Sequence, residues 1–442
     1  MIDNNFMVSI DEDNIAIVKD MKKCIQCGYC GNICKNTVTV AGMYDWNPGK
    51  NPLCIHCGQC ANVCPTESIF EKKEYPQLKQ VLKDESKTVI MSIAPSVRVA
   101  LGEEFHIDPG INVEKRIVTA LKKLGADYVF DVTFAADLTI MEEAMEFVHR
   151  MESGTLLPQF TSCCPAWIKY AEMFYPEILP NLSSCKSPMS MQGATIKSFF
   201  AKKERLDPEK IVSVMISPCT AKKYEIRREE LHHDNDFVLT TRELAAWLVE
   251  EGINLNTLED QDFDSPLGKG TGAGVIFGNT GGVAEAALRT AYYFITEQDL
   301  SDDELVFSEV RGMNGLKEAA VTINGTEIKI AVANGMKNAH KLLEKLQKKE
   351  AEYHLIEVMN CEGGCIAGGG QPKSTMVKLM DTKAQRASGL YEDDRKAQRR
   401  VSYKNPDIIS IYNGFYGVPN SELAHKLLHT TYQNKFYMVR GE

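Results

Sequence analysis

Residues 24–34 read CIQCGYCGNIC, and residues 54–64 read CIHCGQCANVC. Both stretches have the spacing C-x2-C-x2-C-x3-C, so the chain carries an internal repeat of four cysteines. In a chain without a visible export signal, closely spaced thiols are more typical of metal ligands than of disulfide partners. The repeat therefore predicts a small metal-binding module near the N-terminus.

This spacing resembles that of the bacterial two-cluster ferredoxins, in which each run gives three ligands to one 4Fe-4S cluster and its fourth cysteine to the other. The implied ligands are Cys24, Cys27, Cys30 and Cys64 for one cluster, and Cys54, Cys57, Cys60 and Cys34 for the other. Pro65 follows the last cysteine as in that pattern, whereas Lys35 replaces the proline after the first run. Structural zinc is the alternative, but zinc sites usually pair two CxxC knuckles instead. We expect residues 1–75 to form an α+β ferredoxin-like domain that relays electrons.

Composition and charge narrow the class of protein. The chain has 442 residues, which is enough for two or three domains. Its net charge of −10 disfavours nucleic acid as a partner, because phosphate contacts need clustered Lys and Arg. No apolar run is long enough for a membrane span, and the N-terminal residues are acidic where a secretory signal would be basic. With 14 cysteines in such a chain, we expect a cytoplasmic, anaerobic protein.

From residue 88 onward, apolar segments alternate with amphipathic ones, which predicts an α/β arrangement. The predicted strands are 88–95, 128–132, 211–218, 236–240, 274–278 and 353–359. The predicted helices are 113–124, 138–152, 188–204, 241–251, 282–297 and 336–349. Asn324-Gly325 predicts a hairpin turn within 321–330. No Gly-, Ser- or Pro-rich linker interrupts this region, so we expect one domain, 76–442, of two lobes with mixed sheets flanked by helices.

Five of the six remaining cysteines lie in three unusual segments, and Cys185 lies outside them. These are TSCCPAW at 161–167, SPCTAKKYE at 217–225 and EVMNCEGGCIAGGGQP at 357–372. Each follows a strand-like run, and ligand-binding residues of open α/β sheets collect at the carboxyl ends of strands. An isolated cysteine is more often an inert buried side chain. Four thiols, at 164, 219, 361 and 365, are nevertheless the number that one further cubane requires.

The three segments resemble the H-cluster motifs of the FeFe-hydrogenases, TSCCPxW, MPCxxKxxE and ExMxCxxGCxxGGGQP. The resemblance spans nearly the whole chain and implies reversible conversion of hydrogen into protons and electrons in a cleft between the lobes. It implies a 4Fe-4S cubane held by Cys164, Cys219, Cys361 and Cys365. Cys365 would also bridge to a diiron subsite with CO, cyanide and a dithiolate amine. The region from about 380 to 442 is similar to the hydrogenase small subunit.

The resemblance also implies partners and a proton path. The partners are hydrogen and protons as substrate, a ferredoxin-like electron carrier, and maturation proteins that insert the diiron subsite. The implied proton path runs from Cys163 through Glu143, Ser183 and Glu146 to solvent. Glu143 and Glu146 lie at i and i+3 on a predicted helix, and without the motifs they would be read as a solvated face.

Further pocket residues follow from the same resemblance. Lys222 matches the lysine that donates to a cyanide ligand, and its charge suits an anionic cofactor. The remaining residues expected around the cofactor are Ala94, Pro95, Ser96, Ser217, Pro218, Phe277, Met359 and Met189.

Several positions depart from the usual motifs. Ser217 replaces a methionine, Ala166 a common glycine, and Met189 a frequent glutamine. These changes resemble those of an atypical subgroup, and we expect them to affect rate, catalytic bias and oxygen response. Cys185 has no implied role, and we expect an inert buried thiol, with a redox role as the alternative.

Two other functions compete with the enzyme. One is a hydrogen sensor, which would usually carry a signalling domain that the sequence does not show. The other is a non-catalytic hydrogenase-like protein that assembles iron–sulfur clusters. An assembly protein needs neither Cys163, Lys222 nor the proton path, so the sequence favours the enzyme.

Overall fold

In the part of the chain that the structure describes, the strands are divided among three sheets. The computed structural model describes residues 7–44, 52–374 and 378–440. The strands are β1 Ile17–Lys19, β2 Ile69–Glu71, β3 Thr88–Ile93, β4 Tyr128–Asp131, β5 Gln159–Phe160, β6 Ile211–Ser217, β7 Phe237–Thr240, β8 Leu316–Ile323, β9 Thr326–Asn334 and β10 Leu355–Met359.

Helices surround these sheets. They are α1 Tyr29–Asn36, α2 Gln59–Asn62, α3 Tyr75–Val81, α4 Glu114–Lys123, α5 Val132–Ser153, α6 Pro165–Phe174, α7 Pro188–Thr195, α8 Ala201–Glu204, α9 Lys222–Glu225, α10 Thr241–Glu250, α11 Gly272–Ile276, α12 Gly282–Thr296, α13 Met336–Gln347, α14 Leu379–Lys396, α15 Pro406–Ile411, α16 Glu422–Leu428 and α17 Tyr437–Arg440. None of the helices in the described ranges is long and apolar enough to cross a bilayer.

The N-terminal repeat is also a structural repeat. Gly28 and Gly58 precede α1 and α2 with φ values of 77° and 70°. Gln26 and His56, two residues earlier in each run, also have left-handed backbone, at 55° and 59°. The antiparallel pair β1–β2 completes this region, as predicted for a ferredoxin-like α+β fold.

The first lobe is built on a fully parallel sheet with the order β4-β3-β6-β7. Its strands are almost entirely apolar because helices cover both faces. Four of the predicted strands are these four, with ends that differ by one or two residues. The prediction extended β4 to Val132, but Asp131 accepts a hydrogen bond from the Thr133 N–H (3.0 Å) and caps α5, so the helix begins at Val132.

The second lobe contains a mixed sheet with the order β5-β10-β9-β8. β5, β10 and β9 are parallel, and β8 pairs antiparallel with β9 through the predicted hairpin. Asn324 and Gly325 both have positive φ, 49° and 79°, which a two-residue type I′ turn requires. The predicted mixed α/β architecture in two lobes is confirmed.

One predicted strand is wrong. The segment 274–278 belongs to helix α11 and its C-terminal end, not to a sheet. A short apolar run fits a buried helix as well as a strand, so its pattern could not distinguish them. The glycines serve close helix packing, because a Cβ at Gly274 would lie 2.4 Å from the carbonyl oxygen of Thr133 on α5.

A buried ionic network joins the C-terminal region to the second lobe. Arg289 on α12 is fully buried and donates to both carboxylate oxygens of Asp394 on α14, each at 2.9 Å. It also donates to Glu285 (2.6 Å), and Arg400 donates to Asp394 (3.0 Å). Every buried charge in this network therefore has an opposite partner.

We expect Asp394→Ala to lower the free energy of unfolding by about 3–5 kcal/mol, because it leaves Arg289 buried with one partner fewer. Urea and thermal unfolding followed by circular dichroism would measure the loss. The control is Glu392→Ala on the same helix, whose pairs with Arg395 and Lys396 are exposed, so its free energy of unfolding should stay close to that of the unmodified protein. Equal effects of the two variants would contradict this account.

Candidate active site

A cavity lies between the two lobes, where the carboxyl ends of strands from both sheets meet. The ends of β6 and β10 line the cavity directly, and the segments that follow β3 and β5 line it as well. The lining includes each residue that the sequence predicted around the cofactor: Ala94, Pro95, Ser96, Ser217, Pro218, Phe277, Met359 and Met189.

Four thiols that the sequence grouped together line this one cavity. They are Cys164, Cys219, Cys361 and Cys365. All 14 cysteines of the chain are free thiols. Burial raises the pKa of these four thiols, that of Cys361 to about 12. A bound metal reverses this effect because it deprotonates a coordinating thiol.

The donor set and the space fit an iron–sulfur cluster. The Ser96 hydroxyl is buried at the cavity wall without a hydrogen-bond partner in the described residues, which leaves it free to donate to a bound group. A single zinc ion would need its thiolates within about 4 Å of one another, given a Zn–S distance of roughly 2.3 Å. Among the described residues, no three His, Cys, Asp or Glu side chains meet closely enough to hold one metal ion.

Lys222 brings a positive charge to the cavity. Its ammonium group donates to Ser187 Oγ (2.7 Å) and to the Cys163 carbonyl oxygen (3.3 Å), and it pairs with Glu225 (2.5 Å). Burial lowers the pKa of Lys222, but Glu225 and the nearby thiols outweigh burial and raise it.

The residues of the predicted proton path lie close to one another beside the cavity. Cys163 lines the cavity. Burial and, to a smaller extent, the charge of the neighbouring Glu143 raise the pKa of the Cys163 thiol. Glu143 is buried, and within the described structure its carboxylate has no hydrogen bond of standard geometry. Burial and the charge of Glu146 raise the pKa of Glu143 to about 8, although the nearby Ser183 hydroxyl moderates the rise. Ser183 Oγ donates to Glu146 Oε2 at 2.6 Å.

Comparison with known proteins identifies the family. The sequence pattern described as "Iron only hydrogenase large subunit, C-terminal domain" matches residues 87–369. The chain belongs to the iron-only, or FeFe-, hydrogenases. In this hydrogenase the pattern of the "Iron hydrogenase small subunit" matches 380–435, and that of a "4Fe-4S binding domain" matches 52–70.

The relatives include enzymes and assembly proteins. This hydrogenase is 42% identical to Iron hydrogenase 1 of Clostridium pasteurianum, over 96% of its own length and 77% of that protein. The FeFe-hydrogenase HydA1 of Chlamydomonas reinhardtii, in a solved variant, is 40% identical with a TM-score of 0.73, covering 82% of this chain and 100% of that one. The cytosolic iron-sulfur assembly component 3 of Bos taurus is 31% identical, over 79% of this chain and 75% of that protein. A periplasmic hydrogenase large subunit from Nitratidesulfovibrio vulgaris is 42% identical over 87% of this chain and 93% of that protein, so the cytoplasmic location stays a prediction.

Several residues around Glu146 were missed by the sequence reasoning. Arg150 Nη2 and Ser184 Oγ donate to Glu146 Oε1, at 2.7 Å and 3.1 Å. His429 Nδ1 lies 2.8 Å from Ser184 Oγ, and its Nε2 lies 3.1 Å from the buried carboxylate of Glu142. Arg150 could have been found from its i+4 spacing. His429 could not, because no periodic signal links residues so distant in the chain.

Cys185 lies beside this network. It is 1% exposed, and its sulfur is 3.9 Å from Glu146 Oε2. Burial raises the pKa of the Cys185 thiol well above its usual range. The expectation of a buried thiol is confirmed, and its inertness stays a prediction.

Four of the N-terminal cysteines of this hydrogenase line a second cavity. They are Cys34, Cys54, Cys57 and Cys60. Cys34 belongs to the first run and the other three to the second, which is the combination expected when two runs exchange their fourth ligands.

Proposed function

We propose that this hydrogenase catalyses reversible oxidation of hydrogen to protons and electrons at an H-cluster. Cys164, Cys219, Cys361 and Cys365 would hold its cubane, and Cys365 would bridge to the diiron subsite. When bound, that subsite supplies the redox-active metal at which hydrogen is formed or split. The observation that carries the proposal is the series of buried proton-exchanging groups from the cavity to Glu146.

The chain's own residues would move the proton. The Cys163 thiol exchanges a proton at the cavity and passes it to the carboxyl group of Glu143. Ser183 can accept that proton on Oγ while it gives its own hydrogen to Glu146 Oε2. The side chain of Glu146 is 14% exposed, so it can release the proton to solvent. Lys222 and Ser96 would hold the cyanide ligands by hydrogen bonds.

Electrons would leave by another route. We propose that residues 1–75 hold two 4Fe-4S clusters, ligated as the repeat implies, and that residues 76–442 form the catalytic domain. A ferredoxin-like protein would exchange electrons with the N-terminal clusters. Maturation proteins would insert the diiron subsite.

The assembly relatives supply the second candidate function, a hydrogenase-like protein without the diiron subsite. Infrared spectroscopy and hydrogen-dependent viologen reduction on protein matured with the hydrogenase assembly machinery separate the two. We expect CO and cyanide bands together with viologen reduction. Iron–sulfur content without bands or turnover would establish the assembly-type function, and bands without turnover would favour a sensor.

The pKa of Glu143 gives the proton path a pH dependence. Below about pH 8 its carboxyl group is protonated and can donate toward the cavity; above that pH it is ionised. We therefore expect hydrogen evolution to fall as the pH rises through about 8. Glu143→Gln should reduce turnover about 100-fold or more and remove this limb of the pH profile.

The control for Glu143→Gln is Glu152→Gln, an exposed glutamate on the same helix. It should keep both the rate and the pH profile of the unmodified enzyme. A Glu143→Gln variant with the full alkaline limb would remove Glu143 from the path.

A further inference from the structure

Helix α2 of the N-terminal domain contacts a predicted ligand of the catalytic domain. Gln59 Nε2 donates to Cys361 Sγ at 3.1 Å and to the Ala367 carbonyl oxygen at 2.9 Å. Asn62 Nδ2 lies 3.5 Å from Gln59 Oε1. The oxygen of the Gln59 amide therefore faces a donor, and the nitrogen of the same amide faces the sulfur of Cys361. A side chain of one domain thus donates a hydrogen bond to the active-site sulfur of the other.

The backbones around Gln59 are packed too closely for this contact to shift easily. A Cβ on Gly369 would lie 2.2 Å from the Cys57 carbonyl oxygen, so only glycine fits there. Thr220 Oγ1, next to Cys219, donates to the His56 carbonyl oxygen at 2.7 Å. The cysteine loops of the two domains therefore touch at residues 56 and 57, close to Gln59.

An ion pair also connects the two domains at this interface. Arg242 donates to Glu71 Oε2 at 2.6 Å and to the Gly369 carbonyl oxygen at 2.7 Å. The side chains of Arg242 and Glu71 are only 11% and 8% exposed. The position of α2 relative to the glycine-rich loop is therefore held independently of Gln59.

A hydrogen bond to a ligand sulfur changes the reduction potential of an iron–sulfur cluster. Reduction adds one electron to the cubane without making or breaking a bond, and the extra negative charge strengthens a hydrogen bond from a neutral N–H donor. A donor such as the amide of Gln59 therefore favours the reduced cluster. Cys361 accepts from only one other side chain in the described structure, Asn360, at 3.4 Å.

We propose that Gln59 is a positioning residue that raises the reduction potential of the active-site cubane from the N-terminal domain. This inference rests on the proposed ligation of that cubane by Cys361. Gln59 directly precedes Cys60, a predicted ligand of the neighbouring relay cluster. The same residue thereby adjusts how readily an electron passes from the relay cluster to the active site.

The test is infrared spectroscopy of matured enzyme at poised potentials. The CO and cyanide bands report the charge of the attached active-site cubane, whereas the N-terminal clusters contribute no such bands. The Gln59→Leu variant is poised at the midpoint potential of the unmodified enzyme. At that potential, its ratio of reduced to oxidised cubane should be about fivefold to tenfold lower than in the unmodified enzyme. A tenfold fall equals a potential lower by about 59 mV for one electron. Gln59→Glu should lower the potential further, because it places a negative charge beside the sulfur.

The matched control is Tyr29→Leu. Tyr29 precedes Cys30 in the first run as Gln59 precedes Cys60 in the second, but its side chain is 46% exposed. The potential of the active-site cubane in this variant should equal that of the unmodified enzyme. An unchanged potential in Gln59→Leu, or an equal shift in Tyr29→Leu, would overturn the inference. Absence of the bands in the unmodified, matured enzyme would instead refute the proposed function.

Discussion

Replacing Cys219 by alanine should remove the active-site cubane and abolish hydrogen turnover. Cys219 follows β6 and lines the cavity together with the other three thiols, so its loss leaves one corner of the cubane without a protein ligand. We expect the variant to fold, because neither sheet depends on this side chain. Iron analysis should show about four iron atoms fewer per chain, and the infrared bands should be lost.

Cys185→Ala is the matched control for Cys219→Ala. It removes a buried thiol of the same domain, and this thiol has no predicted ligand role. Its iron content and infrared bands should equal those of the unmodified protein. If Cys219→Ala keeps its full iron content while Cys185→Ala loses iron, the ligand assignment is wrong.

Cys163→Ala should retain every cluster and lose most of its turnover. The Cys163 thiol is the only proton-exchanging group that the proposed path places between the cavity and Glu143, so its removal interrupts the path at its inner end. A general acid–base group typically contributes a factor of 10² to 10⁴. We expect a loss in this range in both hydrogen evolution and hydrogen-dependent viologen reduction.

The infrared bands separate a proton-transfer defect from a loss of cofactor in Cys163→Ala. They should remain, because Cys163 is not among the four predicted cubane ligands. Cys163→Ser should also be slow, since a hydroxyl group exchanges protons less readily than a thiol near neutral pH. Turnover equal to that of the unmodified enzyme in either variant would exclude Cys163 from the proton path.

Much of the fold and of the candidate site was predictable because it depends on local signals. Strand periodicity located β3, β6 and β10, and the Asn324-Gly325 turn fixed the hairpin. The position of the cavity followed from one topological rule, that the carboxyl ends of parallel strands gather ligand-binding residues.

The errors and omissions have physical causes. Helix α11 was mistaken for a strand because five small and apolar residues in a row show no distinguishing period. The contacts of His429 with Ser184 and of Gln59 with Cys361 join residues far apart in sequence. Such pairs depend on how the domains pack, and a single sequence contains no local pattern for that packing.

The N-terminal repeat has two halves with nearly the same backbone but opposite surroundings. Tyr29 occupies in the first half the position that Gln59 occupies in the second. Tyr29 is 46% exposed, and Met21 and Ile25 beside it are exposed as well. Gln59 instead touches the catalytic domain. The duplicated motif therefore has two distinguishable ends, one that exposes apolar side chains to solvent and one that is packed against the loop of Cys361.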